Sequence, residues 1–282
     1  MRFASYMAEG RARVAVVVGD HVVSLDIDVA GFGSIREIAA AGPAGLSAIR
    51  AWLEARPGRP SWRLEELDLG PAVPDPGAIF AIGLNYGPVS GADPDRPVRP
   101  LVYAKLPGSV AGHGATLAWD RALTDNVDAE VELGVVIGVA AHDVSPAQAM
   151  DHVFGYTCIN DVSSRDPWLD GDQWLLGKSM PGFCPVGPVI VTADEIDPAD
   201  LRLGCTINGT AIQDGSTAQM RFSISEAISY LSHHVVLRPG DLIATGTPAR
   251  LPGPLGPDRH LQPGDLATVW IEQIGELTTS IA

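Results

Sequence analysis

The acidic segment Asp128-Ala129-Glu130-Val131-Glu132 carries the residue types most suited to chemistry in this chain. It leads directly into the apolar run 133–137, which predicts a buried strand. Alternate residues of a strand point to the same face, so we expect Glu130 and Glu132 side by side. Two adjacent carboxylates repel each other, and a divalent cation would remove that repulsion. A solvated strand face is the alternative for a bare Glu-x-Glu pair.

A third carboxylate, Asp161, strengthens the metal hypothesis. It stands where the predicted strand 153–159 gives way to the polar segment 160–166, and strand ends commonly carry chemistry. Glu130, Glu132 and Asp161 offer only oxygen ligands, which favours a hard ion such as Mg²⁺ or Mn²⁺, with Ca²⁺ as an alternative. Water and a bidentate substrate would complete the coordination.

Two lysines, Lys105 and Lys178, lie in apolar contexts that contain glycine. A lysine in such surroundings could bind a carboxylate or an enolate oxygen. A surface lysine is the alternative for each. The segment 245–248, Thr-Gly-Thr-Pro, adds hydroxyl groups and a backbone turn.

The elements that must position these residues are mostly short strands. Residues 14–18 and 21–25 flank a Gly-Asp turn and predict a β-hairpin. The Pro-Gly-Asp tripeptides at 239–241 and 263–265 are predicted turns that separate strands. Frequent short strands with few helices predict a β-rich mixed α+β fold. The predicted helices cover residues 34–54, 146–152 and 225–233.

Prolines and glycines between residues 57 and 76 indicate a boundary. We therefore expect a small N-terminal α+β domain over residues 1–70 and a larger domain over residues 71–282. Their combined 282 residues are sufficient for a sizeable core.

The charge balance argues against two classes of partner. The 34 acidic and 19 basic residues give a net charge of −15, which repels nucleic acid. No apolar run approaches the roughly 20 residues of a membrane span, and the first residues lack the apolar core of a signal peptide, so we expect a cytoplasmic protein.

Three dispersed cysteines favour buried apolar positions over disulfides or a zinc site: Cys158, Cys184 and Cys205.

In their order along the chain, these segments resemble the fumarylacetoacetate hydrolase family. The resemblance covers roughly residues 78–275, and the N-terminal hairpin fits the small leading domain of that family. Each motif alone is weak, whereas the ordered set is specific. The motifs are Gly83-Leu84-Asn85-Tyr86, Lys105, the run 128–138, the run 155–166, Gly177-Lys178-Ser179, 185–188, Asn208-Gly209, Gln213-Asp214, Met220-Arg221-Phe222 and 239–248.

The resemblance implies a partly rolled β-sheet fold, commonly a homodimer, with Mg²⁺ or Mn²⁺ held by the three carboxylates. It implies that Lys178, Arg165 and Thr247 are catalytic residues facing the substrate. Family members cleave, decarboxylate, isomerise or tautomerise 2,4-dioxo and related keto acids through a metal-stabilised enolate. The expected substrate-binding residues are Asn85, Tyr86, Lys105, Trp168 and Arg250.

Five positions depart from the family pattern. The water-activating His and Glu are replaced by Val89 and Ala92, neither of which can accept a proton. Pro181 replaces an Asp. Trp168 stands near the place of a Gln and would make the pocket more apolar, and Arg250 replaces a Gly and could bind an added carboxylate.

These departures suggest an enzyme that forms an enolate but does not hydrolyse by the usual route. Isomerisation, tautomerisation, decarboxylation or rearrangement needs no activated water. Hydrolysis remains open through metal-activated water or through a base supplied by His113, His233 or His234, although a packed or solvated histidine is the alternative for each. Two further alternatives are a non-catalytic binding protein of this fold and a structural Ca²⁺ site in an unrelated β-protein.

Overall fold

Strands dominate the fold, as the spacing of the short apolar segments predicts. The computed structural model describes residues 1–25, 31–55, 61–88, 93–166, 173–252 and 259–282. In chain order the strands are β1 (Arg2–Ala8), β2 (Arg11–Val18), β3 (His21–Ser24), β4 (Trp62–Arg63), β5 (Ile79–Gly83), β6 (Leu101–Lys105), β7 (Val110–Ala111), β8 (Ala115–Leu117), β9 (Val127–Asp128), β10 (Val131–Ile137), β11 (Val153–Asn160), β12 (Ser163–Ser164), β13 (Cys184–Thr192), β14 (Arg202–Ile207), β15 (Thr210–Ser216), β16 (Leu242–Ala244), β17 (Leu266–Ile271) and β18 (Gly275–Ile281).

Helices are few. Helix α1 (Ile35–Glu54) begins after Ser34, whose hydroxyl accepts a hydrogen bond from the Glu37 N–H, and it is kinked at Gly42, where φ is 55°. The other α-helices are α2 (Pro146–Ala149), α3 (Leu175–Lys178) and α4 (Ile224–Ser232). Single 3₁₀ turns cover Leu64–Glu66, Pro107–Ser109, Met150–His152, Pro198–Asp200 and Thr217–Gln219.

The largest sheet has the strand order β4-β3-β2-β1-β13-β11-β10-β16-β5-β6, with β7 beside β13. A five-stranded sheet has the order β15-β14-β17-β18-β8, and β9 pairs with β12. The side chains of successive β10 residues point to opposite faces of the large sheet. Val135 belongs to the apolar cluster that also contains Val269 of the five-stranded sheet, and Val136 belongs to the one that also contains Ile38 of α1. Both faces of the central strands are therefore covered.

The predicted β-rich mixed α+β class is confirmed, as are the predicted hairpin, now β2 and β3, and the three predicted helices. The N-terminal strands share the large sheet, because Phe3 of β1 pairs with Ile190 of β13. The division into residues 1–70 and 71–282 stays a prediction. In the part of the chain that is described, no helix is long and apolar enough to cross a membrane. The three cysteines are free and buried, as expected.

Candidate active site

Glu130, Glu132 and Asp161 meet at one end of the paired strands β10 and β11. The two strands run antiparallel, with Val131 opposite Asn160. Just beyond this pair, the Asp161 N–H donates a 2.8 Å hydrogen bond to the Glu130 carbonyl oxygen. One ligand oxygen from each of the three carboxylates lies within 4.8 Å of the others. The structure thus brings together the residues predicted to bind metal.

Two lysines and a tyrosine surround Asp161. The Lys178 ammonium donates to Asp161 Oδ2 at 2.7 Å and to Glu130 Oε2 at 2.9 Å. Lys105 donates to Asp161 Oδ1, and the Tyr103 hydroxyl donates to Asp161 Oδ2 at 2.5 Å. Both lysines are buried, so they are not the surface lysines that the sequence left as an alternative. They reach the site from the ends of β6 and α3.

Arg165 links the carboxylate cluster to Asp128. Its guanidinium donates to Glu130 Oε1 and, at 3.2 Å, to Asp128 Oδ2. The guanidinium of Arg250 donates to Asp128 Oδ1 at 3.1 Å, and His260 Nδ1 lies 2.9 Å from the same oxygen. Glu130, Arg165, Asp128 and Arg250 therefore form a continuous row of ion pairs.

The turn after β16 completes the site. Gly246 has a φ of 96°, and a Cβ at this position would lie 2.7 Å from the Cβ of Asn85, so the backbone can approach this closely only at glycine. The Gly246 N–H donates to Glu132 Oε2 at 2.7 Å. The next hydroxyl, Thr247 Oγ1, accepts a 2.7 Å hydrogen bond from the amide of Gln213.

The carboxylates are in electrostatic conflict. Burial and the neighbouring Asp161 charge raise the pKa of Glu132 well above its usual range. Burial also opposes ionisation of Glu130, but the charges of Lys178 and Arg165 outweigh it and hold the pKa of Glu130 below its usual value. At Asp161 the two lysines likewise outweigh burial, and its pKa is lowered. The cluster thus contains one carboxylate that resists ionisation beside two that are ionised.

The donor set fits a divalent cation of the magnesium type. Three carboxylates from one short stretch of sheet offer oxygen alone, which suits Mg²⁺ or Mn²⁺ better than a metal that prefers nitrogen or sulfur. A cation would also favour the ionised form of Glu132. The residues that would hold it are the three that the sequence predicts.

A cavity of about 290 Å³ opens onto this cluster. Seven of the predicted site residues line it: Tyr86, Glu130, Glu132, Arg165, Lys178, Thr247 and Arg250. Its other walls are Ile82, Gly83, Leu84, Tyr103, Asp128, Ala129, Trp174, Gln213, Arg221, Gly246, Pro248 and Ala249. Charged and aromatic groups thus share the walls of one cavity.

Asn85, Lys105 and Asp161 lie behind the wall of the cavity. The Asn85 amide donates to the carbonyls of Thr245 at 2.8 Å and Phe222 at 3.1 Å, and its oxygen accepts from the Phe222 N–H. This bonding fixes Asn85 between two backbone segments beside the site. The predicted substrate contacts of Asn85 and Lys105 stay predictions.

Other predicted residues fall elsewhere. Trp168, Val89 and Ala92 lie outside the described residues. His113 contacts Thr278 and lines a different cavity. The remaining candidates for a replacement base, His233 and His234, are exposed at the end of α4.

Several residues of the site were not predicted from the sequence. Tyr103 precedes Lys105 by two residues on β6, so the strand period could have placed both on one face. Trp174 packs edge-on against Tyr103 at 5.2 Å between ring centroids. Asp128 and Gln213 lie in segments named in the sequence analysis, but their roles in the site were not predicted because their partners are distant in sequence. His260 was not predicted at all, and its partner Asp128 is likewise distant.

Residues 78–282 match the family model described as the C-terminal domain of fumarylacetoacetate (FAA) hydrolase. The chain belongs to the fumarylacetoacetate hydrolase family. An uncharacterised protein of Staphylococcus aureus (strain USA300) is 40% identical over 218 residues, which are 77% of this chain and 73% of that protein. The fold and family expected from the sequence are both confirmed.

Solved structures extend the similarity over the whole chain. The fumarylacetoacetate hydrolase of psychrophilic Exiguobacterium antarcticum is 32% identical, with a TM-score of 0.87 over 100% of this chain and 99% of that one. Maleylpyruvate hydrolase from Sphingobium sp. SYK-6, in complex with manganese(II) and pyruvate, is 27% identical with a TM-score of 0.82 over 100% and 99%. A 5-carboxymethyl-2-hydroxymuconate delta-isomerase from Mycobacterium smegmatis is 27% identical with a TM-score of 0.77 over 100% and 99%.

The protein is therefore an enzyme of the fumarylacetoacetate hydrolase family, which includes both hydrolases and isomerases. The acidic triad could bind a divalent metal.

Proposed function

We propose that this protein is a divalent-metal-dependent enzyme that acts on a small 2,4-dioxo or related keto acid through an enolate. One observation carries the proposal. The ligand oxygens of Glu130, Glu132 and Asp161 lie within 4.8 Å of one another beside the cavity, and the Lys178 ammonium contacts two of these carboxylates. The manganese and pyruvate in the similar maleylpyruvate hydrolase support it.

Mg²⁺ or Mn²⁺ bound by the three carboxylates would act as a Lewis acid on the oxygens of a chelating substrate. Lys178 supplies a second positive charge beside them. Burial opposes that charge, but Asp161 and Glu130 outweigh burial and raise the pKa of Lys178. Lys178 thus stays protonated, and we propose that it donates a hydrogen bond to the developing enolate oxygen rather than accepting a proton.

Thr247 would donate a hydrogen bond to the substrate. Its oxygen already accepts from the Gln213 amide at 2.7 Å, so its own O–H is directed to another acceptor. Both residues line the cavity. Arg165, which contacts Glu130 and Asp128 there, would fix the orientation of Glu130 and face the substrate with its remaining N–H groups.

The first candidate reaction is hydrolysis of a carbon–carbon bond. The second candidate is isomerisation, tautomerisation, decarboxylation or rearrangement of the same class of substrate. Val89 and Ala92 stand where the hydrolytic relatives place a His and a Glu, and neither can activate water. An enolate can be reprotonated at a different carbon without any activated water. The isomerase among the similar structures supports this candidate.

A turnover assay separates these candidates. Purified protein would be incubated with oxaloacetate and with acylpyruvates, with and without Mg²⁺ or Mn²⁺, while enol absorbance and products are followed. Glu130→Ala tests the site, and Asp125→Asn, on the exposed surface, is the control.

Metal-dependent cleavage to two acids that is lost only in Glu130→Ala would establish hydrolysis and contradict the second candidate. Enol–keto exchange, or decarboxylation without hydrolytic cleavage to two acids, would establish the second candidate. Metal binding with no turnover of any of these compounds would contradict the proposal for this substrate class and favour a non-catalytic binding protein. A homodimer and a cytoplasmic location stay predictions.

A further inference from the structure

Arg250 ends the row of ion pairs that begins at the proposed metal site. Arg165 contacts both Glu130 and Asp128, and Arg250 contacts the other oxygen of Asp128 at 3.1 Å. Arg250 also lines the cavity, and its side chain is 19% exposed. A substrate with one end at the carboxylate triad would therefore extend along this row toward Arg250.

Among the described residues, the guanidinium of Arg250 contacts only two acceptors, which leaves N–H groups that could bind a ligand. A guanidinium carries five N–H groups. The contacts of Arg250 are to Asp128 Oδ1 and, at 2.5 Å, to the Arg259 carbonyl oxygen. Arg221, which lines the same cavity, differs because its guanidinium holds Asp93 through two nitrogens and the Leu84 carbonyl through the third. Arg250 is the better candidate for a ligand contact.

The charges around the cavity also favour an anionic ligand. Among the described residues that line the cavity or contact its carboxylates, the ion pair of Arg221 with Asp93 is neutral. The rest comprise four carboxylates (Asp128, Glu130, Glu132, Asp161), four basic side chains (Lys105, Lys178, Arg165, Arg250) and His260, which contacts Asp128 and is counted as neutral. A bound divalent cation would leave this region with two positive charges. Net charge in a poorly solvated region is costly, so a ligand with two negative charges is favoured.

We propose that Arg250 is a specificity-determining residue that selects substrates carrying a second carboxylate at the end remote from the 2-oxo acid group. The inference rests on the proposed function, which places the 2-oxo acid group at the carboxylate triad. The planar guanidinium suits a carboxylate because it can donate two parallel hydrogen bonds to it. A methyl group at that end would leave the positive charge uncompensated.

Equilibrium binding to the full-length protein with saturating Mn²⁺ tests this without turnover. The probes are two pairs matched in chain length: 2-oxoglutarate with 2-oxopentanoate, and 2-oxoadipate with 2-oxohexanoate. Calorimetry gives Kd for each. We expect the dicarboxylate to bind about tenfold or more tightly than its partner in at least one pair, which is the scale of one charge-assisted contact.

Arg250→Gln should remove most of that preference, and Arg250→Lys, which keeps the charge without the planar fork, should retain part of it. Arg202→Gln, on the exposed surface, is the matched control and should change nothing. A preference that survives Arg250→Gln, or an equal loss for both members of each pair, would overturn the proposal and leave Arg250 as a structural partner of Asp128. If pyruvate and all four probes show no Mn²⁺-dependent binding, the proposed function fails as well.

Discussion

Buried carboxylates are used in two contrasting ways in this molecule. Asp241 and Asp265, which end the two Pro-Gly-Asp tripeptides, each accept hydrogen bonds from nearby backbone. Asp241 accepts from the N–H groups of Ala78 and Arg238 at 2.9 and 2.8 Å. Asp265 accepts from the Gln262 N–H at 2.8 Å and from the side chains of Arg259 and Asn208. We call this pair the turn carboxylates.

The site carboxylates, Glu130, Glu132 and Asp161, instead face one another and two lysines. Burial opposes ionisation of Asp265, yet its hydrogen bonds outweigh burial and lower its pKa. At Asp241 burial prevails and raises the pKa. Within the described ranges, neither turn carboxylate opposes a second carboxylate, whereas Glu132 does. Carboxylates that cap turns serve the fold, and carboxylates that oppose one another indicate a site that a cation would stabilise.

The largest expected effect is on turnover. Asp161→Asn should lower metal-dependent turnover by about a thousandfold or more, because it removes the proposed ligand on which two lysines converge. Asp265→Asn should leave turnover per folded molecule within about twofold. Steady-state kinetics at saturating Mn²⁺ would measure both. Equal losses in the two variants would erase the distinction between site and turn carboxylates.

The second effect is on stability. Asp161→Asn leaves the Lys105 and Lys178 ammonium groups buried without their shared counter-charge, and we expect a loss of about 3–5 kcal/mol in the free energy of unfolding. Urea titration of the metal-free protein would measure it. Asp125→Asn, on the exposed surface, is the control. A loss below about 1 kcal/mol would show that the lysines do not depend on this carboxylate.

Glu132→Gln should affect stability much less than Asp161→Asn does. The substitution removes a buried carboxyl group whose ionisation is opposed by burial and by the neighbouring carboxylates, while the amide oxygen can still accept from the Gly246 N–H. We expect the free energy of unfolding of the metal-free variant to lie within about 1 kcal/mol of that of the parent, or above it. The same urea titration tests this. Destabilisation as large as that of Asp161→Asn would mean that the Glu132 charge is favourable without metal.

A separate prediction concerns the turn carboxylate Asp265. Asp265→Asn should cost about 1–3 kcal/mol near pH 7, because the charged oxygens bind the Gln262 N–H and Arg259. A lowered folded-state pKa contributes stability above the unfolded value near pH 4, and that stability is lost as the pH falls through the lowered value. Thermal unfolding followed from pH 7 toward pH 3 should therefore show a decreasing difference between parent and variant. A constant difference would contradict the pKa direction.

Local pattern predicted much of the fold because the hairpin, the helices and strand β10, which follows Glu130 and contains Glu132, depend on near neighbours. It also placed these two carboxylates on one face. The pattern could not show that Asp161 lies beside Glu130, because that depends on the pairing of β10 with β11 across residues 138–152. The burial of Lys105 likewise depends on Asp161, far along the chain.

The central claim is that the site carboxylates hold a divalent cation. Calorimetric titration of Mn²⁺ into the parent protein and into Glu132→Gln, with Asp265→Asn as control, tests it most directly. We predict saturable binding of one cation per chain in the parent and in Asp265→Asn, with Kd raised at least about tenfold in Glu132→Gln. Equal affinity in all three proteins, or no binding to the parent, would contradict the account.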